Sequence, residues 1–310
     1  MTVQECANWL KANDNYLILT HVRPDGDTIG SASALCYALR KIGKNAALFN
    51  NPQFGDAYPW ISDPFVAPEG FKYDHVVACD IADTTIFSKG FEGEVDVCID
   101  HHPSNSFFAK ETLLKADKAS CGEIIMEVVK ELCGLDKEVA DILYVAVSTD
   151  TGCFVYGNTT AETLRAAAEL CDAGARNTYL NKMLFRTSSK ERLKLEGMVF
   201  SSFRYYHEGK TVFAVITQDM LKESGAKEKD CIDLASLAGR VEGALTSITV
   251  KETPEGDSKV SVRTNGIVNA NDICKQFGGG GHAMAAGCAV KKDVNTTVEL
   301  LAEAVAKALQ

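Results

Sequence analysis

Three short apolar runs constrain the fold of this chain more than any other feature: residues 16–20 (YLILT), 75–80 (HVVACD) and 95–100 (VDVCID). Apart from Asp96 and their end positions they offer no polar face, so they suit strands buried on both sides, as in a parallel sheet. Residues 46–49 form a further strand candidate. Between the first two strands, residues 28–42 carry apolar side chains at helical spacing and stop before Gly43. Apolar strands alternating with helices predict an α/β fold, with a parallel sheet in the N-terminal domain and helices on both faces.

Each run leads into residues with chemistry. After the first comes His21-Val22-Arg23-Pro24-Asp25-Gly26-Asp27. The second ends in Asp80, and the third in Asp100-His101-His102-Pro103. A fourth segment, Ser148-Thr149-Asp150-Thr151-Gly152, closes the apolar helix of residues 142–147. Ligand sites in open parallel sheets lie beyond the carboxyl ends of the strands. His21, Asp25 and Asp27 would therefore enter a crevice, with Gly26 allowing a sharp turn. One imidazole and two carboxylates suit a divalent metal. Asp100 could hold a neighbouring histidine in one tautomer.

Each segment also has a plainer explanation. Asp-Gly is a common turn pair, Asp80 could cap a helix, and two histidines could sit side by side at the surface. A carboxylate at a helix C-terminus, such as Asp150, is disfavoured without a cation nearby. The plain explanations require four coincidences, all at element ends, and three of the six histidines (His21, His101 and His102) fall in these segments. Asp25, Asp27, Asp80 and Asp150 would repel one another if clustered. Two divalent cations would neutralise them, and two metals ~3.5–4 Å apart are a standard device for displacement at phosphorus.

Further along, residues 121–133, 137–148 and 161–171 read as helices, and the polar stretch 186–196 (RTSSKERLKLE) as a helical linker. The pattern then changes. Thr211–Ile216 is a strand, and residues 244–251 and 259–264 form a hairpin around Pro254, Glu255, Gly256 and Asp257. A helix over 271–277, a glycine run over 278–281, a strand over 284–290 and a helix over 297–309 complete the chain. The expected organisation is a catalytic domain over 1–185, a linker over 186–200, and a smaller α/β domain with a mixed sheet over 201–310. Exposed backbone N–H groups of Gly279, Gly280 and Gly281 could cradle a phosphate, helped by His282 and Arg263.

Thirty-two Lys and Arg against 42 Asp and Glu give a net charge of −10, which argues against a protein that coats long duplex nucleic acid. No apolar run approaches the ~18 residues of a membrane span, and the N-terminus lacks the pattern of a secretory signal. Eleven cysteines cannot all pair, and none forms a CxxC motif, so a reduced, cytoplasmic protein is expected.

The order HVRPDGD, strand-terminal Asp, DHHP and STDTG resembles the DHH phosphoesterase family. The later KVSVRTNG and FGGGGHAMAAG resemble the DHH-associated domain that follows the catalytic domain in one branch of that family. Within it, the chain is most similar to bacterial nano-RNases that are also phosphatases for adenosine 3′,5′-bisphosphate (pAp). RecJ exonucleases carry extra domains, and manganese-dependent pyrophosphatases have a different C-terminal domain. The resemblance implies that His21, Asp25 and Asp80 bind one metal. It implies that Asp27, Asp80, His101 and Asp150 bind the other, with Asp80 shared. It places Asp100 behind the ligands and His102 toward the substrate phosphate or the leaving oxygen. It gives Arg263, Gly279, Gly280, Gly281 and His282 to substrate binding. Two Mn²⁺ ions are the expected cofactors, with Mg²⁺, Co²⁺ or Zn²⁺ as alternatives, and a bridging hydroxide is the expected nucleophile. The implied substrates are short RNA oligonucleotides, cut to mononucleotides, and pAp, converted to AMP. Alternatives are a phosphodiesterase for linear or cyclic signalling dinucleotides, a pyrophosphatase, or a non-catalytic nucleotide-binding module. An exposed edge of the central sheet could serve a homodimer.

Overall fold

The computed structural model describes residues 1–54, 58–231 and 234–309. The chain divides into two compact units, Met1–Thr187 and Ser188–Gln310.

The first unit runs α1 (Val3–Ala12), β1 (Tyr16–Leu19), α2 (Gly26–Lys41), β2 (Ala46–Leu48), α3 (Pro59–Ser62), β3 (His75–Cys79), β4 (Val97–Asp100) and β5 (Glu111–Leu114). Four helices follow: α4 (Cys121–Leu132), α5 (Lys137–Asp150), α6 (Ala161–Asp172) and α7 (Asn177–Phe185). All strand pairs in its sheet are parallel, in the order β2-β1-β3-β4-β5. After β1 the chain moves outward to β2 and then returns to β3 on the other side of β1. That reversal opens a crevice between the carboxyl ends of β1 and β3.

The expected parallel sheet is present, but its covering differs from the sequence expectation of helices on both faces. Tyr16, Ile18, Val77, Cys79, Val97 and Ile99 pack with buried residues of α1, α2, α4 and α5. Leu17, Leu19, Val76, Ala78 and Cys98 instead pack under Phe49, Phe71, Phe87, Phe91 and Phe108, which lie in connecting segments. A layer of phenylalanines therefore takes the place of a second helical layer. The sheet edges are partly engaged: Ala67 donates its N–H to Leu48 O on β2 (2.8 Å), and the Met1 ammonium donates to Thr112 O on β5 (2.7 Å).

The second unit runs α8 (Lys190–Ser201), β6 (Arg204–Tyr206), β7 (Thr211–Ile216), α9 (Gln218–Ser224), β8 (Thr246–Glu252), β9 (Ser258–Thr264), α10 (Ala270–Lys275), β10 (Gly280–Gly281), β11 (Ala285–Val290) and α11 (Val294–Ala308). Its sheet is mixed. Only β7 and β8 pair in parallel within the order β10-β11-β9-β8-β7-β6. The β8–β9 hairpin closes around residues 253–257, with Thr253 N–H donating to Asp257 O (2.8 Å). Helix α8 overlaps the stretch that reads as a linker, and its Leu195 and Val199 are buried with Val212, Ala214 and Ile216 of β7. Among the described residues, no helix is long and apolar enough to cross a membrane, and none of the eleven cysteines is paired.

Candidate metal centre

The crevice at the ends of β1, β3 and β4 gathers the acidic and imidazole side chains that the sequence singles out. His21 follows β1 directly, and its segment is tied across to the next crossover by Val22 N–H donating to Ile86 O (2.7 Å). Asp25 is the N-cap of α2, with Oδ1 accepting from the N–H groups of Asp27 and Thr28 (both 3.1 Å). This cap leaves Asp25 Oδ2 facing His21 Nε2 at 3.6 Å. Burial raises the Asp25 pKa, but His21 and the two capping N–H groups outweigh it and hold the carboxyl below its ordinary range.

Asp27, in the first turn of α2, is fully buried. Its carboxylate reaches the first turn of α4: Oδ2 accepts from Cys121 N–H (2.7 Å), and Oδ1 accepts from Gly122 N–H (2.9 Å) and Ser31 Oγ (3.0 Å). A helix N-terminus is a natural seat for an anion. Burial, reinforced by Asp150 and Asp25, still pushes the Asp27 pKa well up.

Asp80 is central to the cluster. It follows β3 in a left-handed backbone conformation (φ 61°), rare for a residue with a side chain, and its N–H donates to Ile99 O (2.9 Å). Its Oδ2 lies 3.7 Å from His21 Nε2, and its Oδ1 lies 3.5 Å from His101 Nε2. One carboxylate thus turns an oxygen toward each histidine. Oδ1 is buried with no hydrogen-bond partner, a costly state for a carboxylate oxygen. Burial and the charges of Asp27, Asp25, Asp100 and Asp150 push the Asp80 pKa well above the carboxylate range.

His101 and His102 follow β4. His101 Nδ1 lies 3.2 Å from Lys118 O. A carbonyl only accepts, so Nδ1 carries the proton and Nε2 keeps its lone pair. That Nε2 faces Asp27 Oδ2 (3.9 Å), Asp80 Oδ1 (3.5 Å) and Asp150 Oδ2 (3.8 Å). Asp150, the last residue of α5, has its pKa raised by burial, with His101 acting in the opposite direction. His102 is bonded elsewhere, its Nδ1 2.8 Å from Asp100 Oδ1. Asp100, fully buried, also accepts from His101 N–H (2.9 Å) and from Asn105 Nδ2 (2.7 Å). Burial raises the Asp100 pKa, and the bonds from His102 and Asn105 more than reverse this. The same bond to Asp100 raises the His102 pKa.

These atoms fit divalent cations. The groups His21–Asp25–Asp80 and Asp27–His101–Asp150 each bring three ligand atoms within 4.8 Å of one another. Separations of 3.5–3.9 Å are too long for hydrogen bonds. They match ligands spread around a shared ion with bonds of about 2.0–2.2 Å. The unpartnered Asp80 oxygen and the clustered carboxylates are groups that a cation would satisfy. Asp80, His101 and His102 form a third such group, but the His102 Nδ1 is committed to Asp100. The cluster opens into a cavity of about 260 Å³, also lined by Arg23 and Ile86.

The residues behind the cluster lacked a sequence signal. Ser31 and the first turn of α4 support Asp27, the carbonyl of Lys118 sets the His101 tautomer, and Asn105 braces Asp100. Only the fold brings them together; Asp27 and Cys121 are 94 residues apart.

The candidate residues of the second unit lie on β9 and around β10. Arg263 on β9 is exposed, with Nη1 donating to Val262 O (3.0 Å), and His282 is exposed in the β10–β11 turn. The expected cradle of free N–H groups is largely committed already. Gly279 N–H donates to Cys274 O (2.9 Å), Gly281 N–H to Asn271 Oδ1 (3.1 Å) and His282 N–H to Ala285 O (2.8 Å). The glycines instead permit close approach. A Cβ on Gly279 would lie 2.2 Å from Gly287 O, and one on Gly281 would lie 2.6 Å from Ala285 O.

Comparison with known proteins gives the family. Residues 15–147 match the DHH family, N-terminal domain, and residues 209–310 match the DHHA1 domain. The bifunctional oligoribonuclease and PAP phosphatase NrnA of Thermus thermophilus is 35% identical over 302 residues, covering 94% of this chain and 89% of that protein. The protein of the same name from Bacillus subtilis is 27% identical over 285 residues, covering 89% and 90%. An exopolyphosphatase-related protein from Bacteroides fragilis shares the fold, with a TM-score of 0.82 at 22% identity, covering 98% of this chain and 95% of that one. With both domain matches and a relative of this similarity along nearly its whole length, the chain belongs to the DHH family of phosphoesterases and carries a DHHA1 domain after its DHH domain.

Proposed function

We propose that the protein is a metal-dependent, cytoplasmic hydrolase that cuts short oligoribonucleotides to mononucleotides and converts pAp to AMP. The observation that carries this reading is Asp80: a buried, unpartnered carboxylate oxygen facing one histidine while its twin faces another. The 35%-identical relative, named for both activities, supports the substrate assignment. His21, Asp25 and Asp80 would hold one cation, and Asp27, Asp80, His101 and Asp150 the other. A carboxylate and imidazole donor set suits Mn²⁺. Such cations, when bound, lower the pKa of water and offset charge on the phosphoryl oxygens.

The chain's own residues supply the rest. Asp27 is anchored on the first turn of α4 and Asp25 on that of α2, so both carboxylates are held before any substrate arrives. His102, held through Nδ1 by Asp100, lines the cavity. Its raised pKa favours the imidazolium, which can give a proton to the leaving oxygen. In the second unit, Arg263 and His282 are proposed to bind the nucleotide, and Gly279, Gly280 and Gly281 to shape its seat.

The test is product release from pAp and from a 5′-labelled RNA dinucleotide, using metal-stripped protein with and without added Mn²⁺. Turnover of both, only with metal, is the expected result. Bound Mn²⁺ without turnover of either would reject the assignment. Asp100→Asn should lower kcat by about 10–100-fold, the usual effect of disturbing a group behind metal ligands. The number of Mn²⁺ ions bound at saturation should not change, and titration of bound Mn²⁺ beside kcat checks both.

A further inference from the structure

The cavity holds one charged side chain that neither the metal cluster nor the proposed proton donor uses. Arg23 is its only lysine or arginine among the described residues, and it makes no hydrogen bond or ion pair although Asp25, Asp80 and Asp150 line the same space. Its backbone position is constrained on both sides. Val22 is bonded to Ile86 O, and Pro24 narrows the conformations open to residue 23. A guanidinium stays charged at any working pH.

We propose that Arg23 pairs with the terminal phosphoryl group of the substrate and makes the site favour a phosphomonoester over an internal phosphodiester. This rests on the functional reading above. Four carboxylates (Asp25, Asp27, Asp80 and Asp150) match the charge of two divalent cations, so they are spoken for by the metals and leave the Arg23 guanidinium on the cavity wall available to the substrate. An anion is the partner that a guanidinium there selects. A phosphodiester presents two non-bridging oxygens and one negative charge. A phosphomonoester presents three, and close to two charges at neutral pH. A planar guanidinium can take the additional oxygen and the additional charge.

The experiment compares wild-type protein with Arg23→Ala and Arg23→Lys. For Arg23→Ala, kcat/KM on pAp should fall by about 10–100-fold, the size of a lost charged hydrogen bond. On the RNA dinucleotide it should fall about threefold or less. Arg23→Lys restores the charge without the fork and should recover part of the loss. Calorimetric titration of Mn²⁺-loaded protein with orthophosphate should show affinity weakened about tenfold in Arg23→Ala, with Mn²⁺ stoichiometry unchanged. Equal losses on both substrates, undiminished phosphate affinity, or altered Mn²⁺ stoichiometry would each overturn the assignment. If the wild-type protein turned over neither substrate, the functional reading would fall, and the phosphate titration alone would decide the role of Arg23.

Discussion

Asp80→Asn is expected to raise the thermal midpoint of the metal-free protein while abolishing the stabilisation that Mn²⁺ gives the wild type. In the metal-free protein the Asp80 carboxylate is buried among Asp27, Asp25, Asp100 and Asp150, with one oxygen unpartnered. Asparagine keeps the shape and removes the charge. A carboxyl whose pKa is higher in the folded chain than in the unfolded one binds more protons when folded. Its contribution therefore makes the metal-free protein less stable as pH rises from the unfolded-state range, about 4, through the raised native value. Cations reverse the slope, because they bind the deprotonated ligands. At a free Mn²⁺ concentration of about 100 times Kd, the wild type should gain roughly 2.7 kcal/mol, or about 5–11 °C for a unit of this size. The variant should gain little. Losing several kcal/mol of charge stabilisation should lower kcat/KM by about 10³-fold or more. Thermal scans at pH 5 and pH 8, with chelator or with Mn²⁺, read all of this. A lower midpoint for the metal-free variant at pH 8 would show that Asp80 supports the fold rather than straining it.

The parts of this molecule legible in its sequence are those set by local pattern. A strand buried on both faces must be apolar throughout, so β1, β3 and β4 stand out, and a polar residue at the end of such a strand is conspicuous. That is why His21, Asp80, Asp100, His101 and His102 could be picked out, and why they meet at the end of the sheet. What tertiary contact decides was not legible. Phe49, Phe71, Phe87, Phe91 and Phe108 cover one face of the sheet from irregular segments, which have no period to read. Edge strand β5 is half polar (ETLL), so neither a buried run nor a clean alternation marks it. Helix α1 did carry a signal, the capping box between Thr2 and Glu5, but it is short. The glycine run shows the limit most clearly. A string of glycines is equally a phosphate cradle or a place where two backbones touch, and only the fold shows that Gly279 and Gly281 lie against β11.

Ala146→Leu should be the most damaging substitution away from the metal ligands, because three helices close on that methyl group. Ala146 is fully buried on α5, one turn before Asp150. A Cβ on Gly30 of α2 would lie 2.9 Å from the Ala146 Cβ, and one on Gly122 of α4 would lie 2.6 Å from it. Gly26 of α2 meets Thr149 of α5 in the same way, at 2.4 Å. These contacts fix the spacing between the helix that carries Asp27, the helix whose N–H groups hold Asp27, and the helix that ends in Asp150. Leucine adds three carbons where a single one is already crowded. Overpacking of this kind costs about 1–3 kcal/mol, which corresponds to a fall of roughly 2–12 °C in Tm. The larger effect should be on chemistry, since a displacement of about 1 Å in a catalytic group can cost on the order of 10²-fold in rate. Both kcat and Mn²⁺ affinity should drop. Ala146→Gly removes the methyl group, leaves the helices free to approach, and costs about 1 kcal/mol of helix propensity; it should keep Mn²⁺ binding near the wild-type level. If Ala146→Leu lost stability yet kept its kcat and Mn²⁺ affinity, the ligand geometry would be set within the loops after β1, β3 and β4. If it lost both, the positions of Asp27 and Asp150 are set by how closely three helices approach, and the small residues at Gly26, Gly30, Gly122 and Ala146 are then as necessary to the metal centre as the carboxylates themselves.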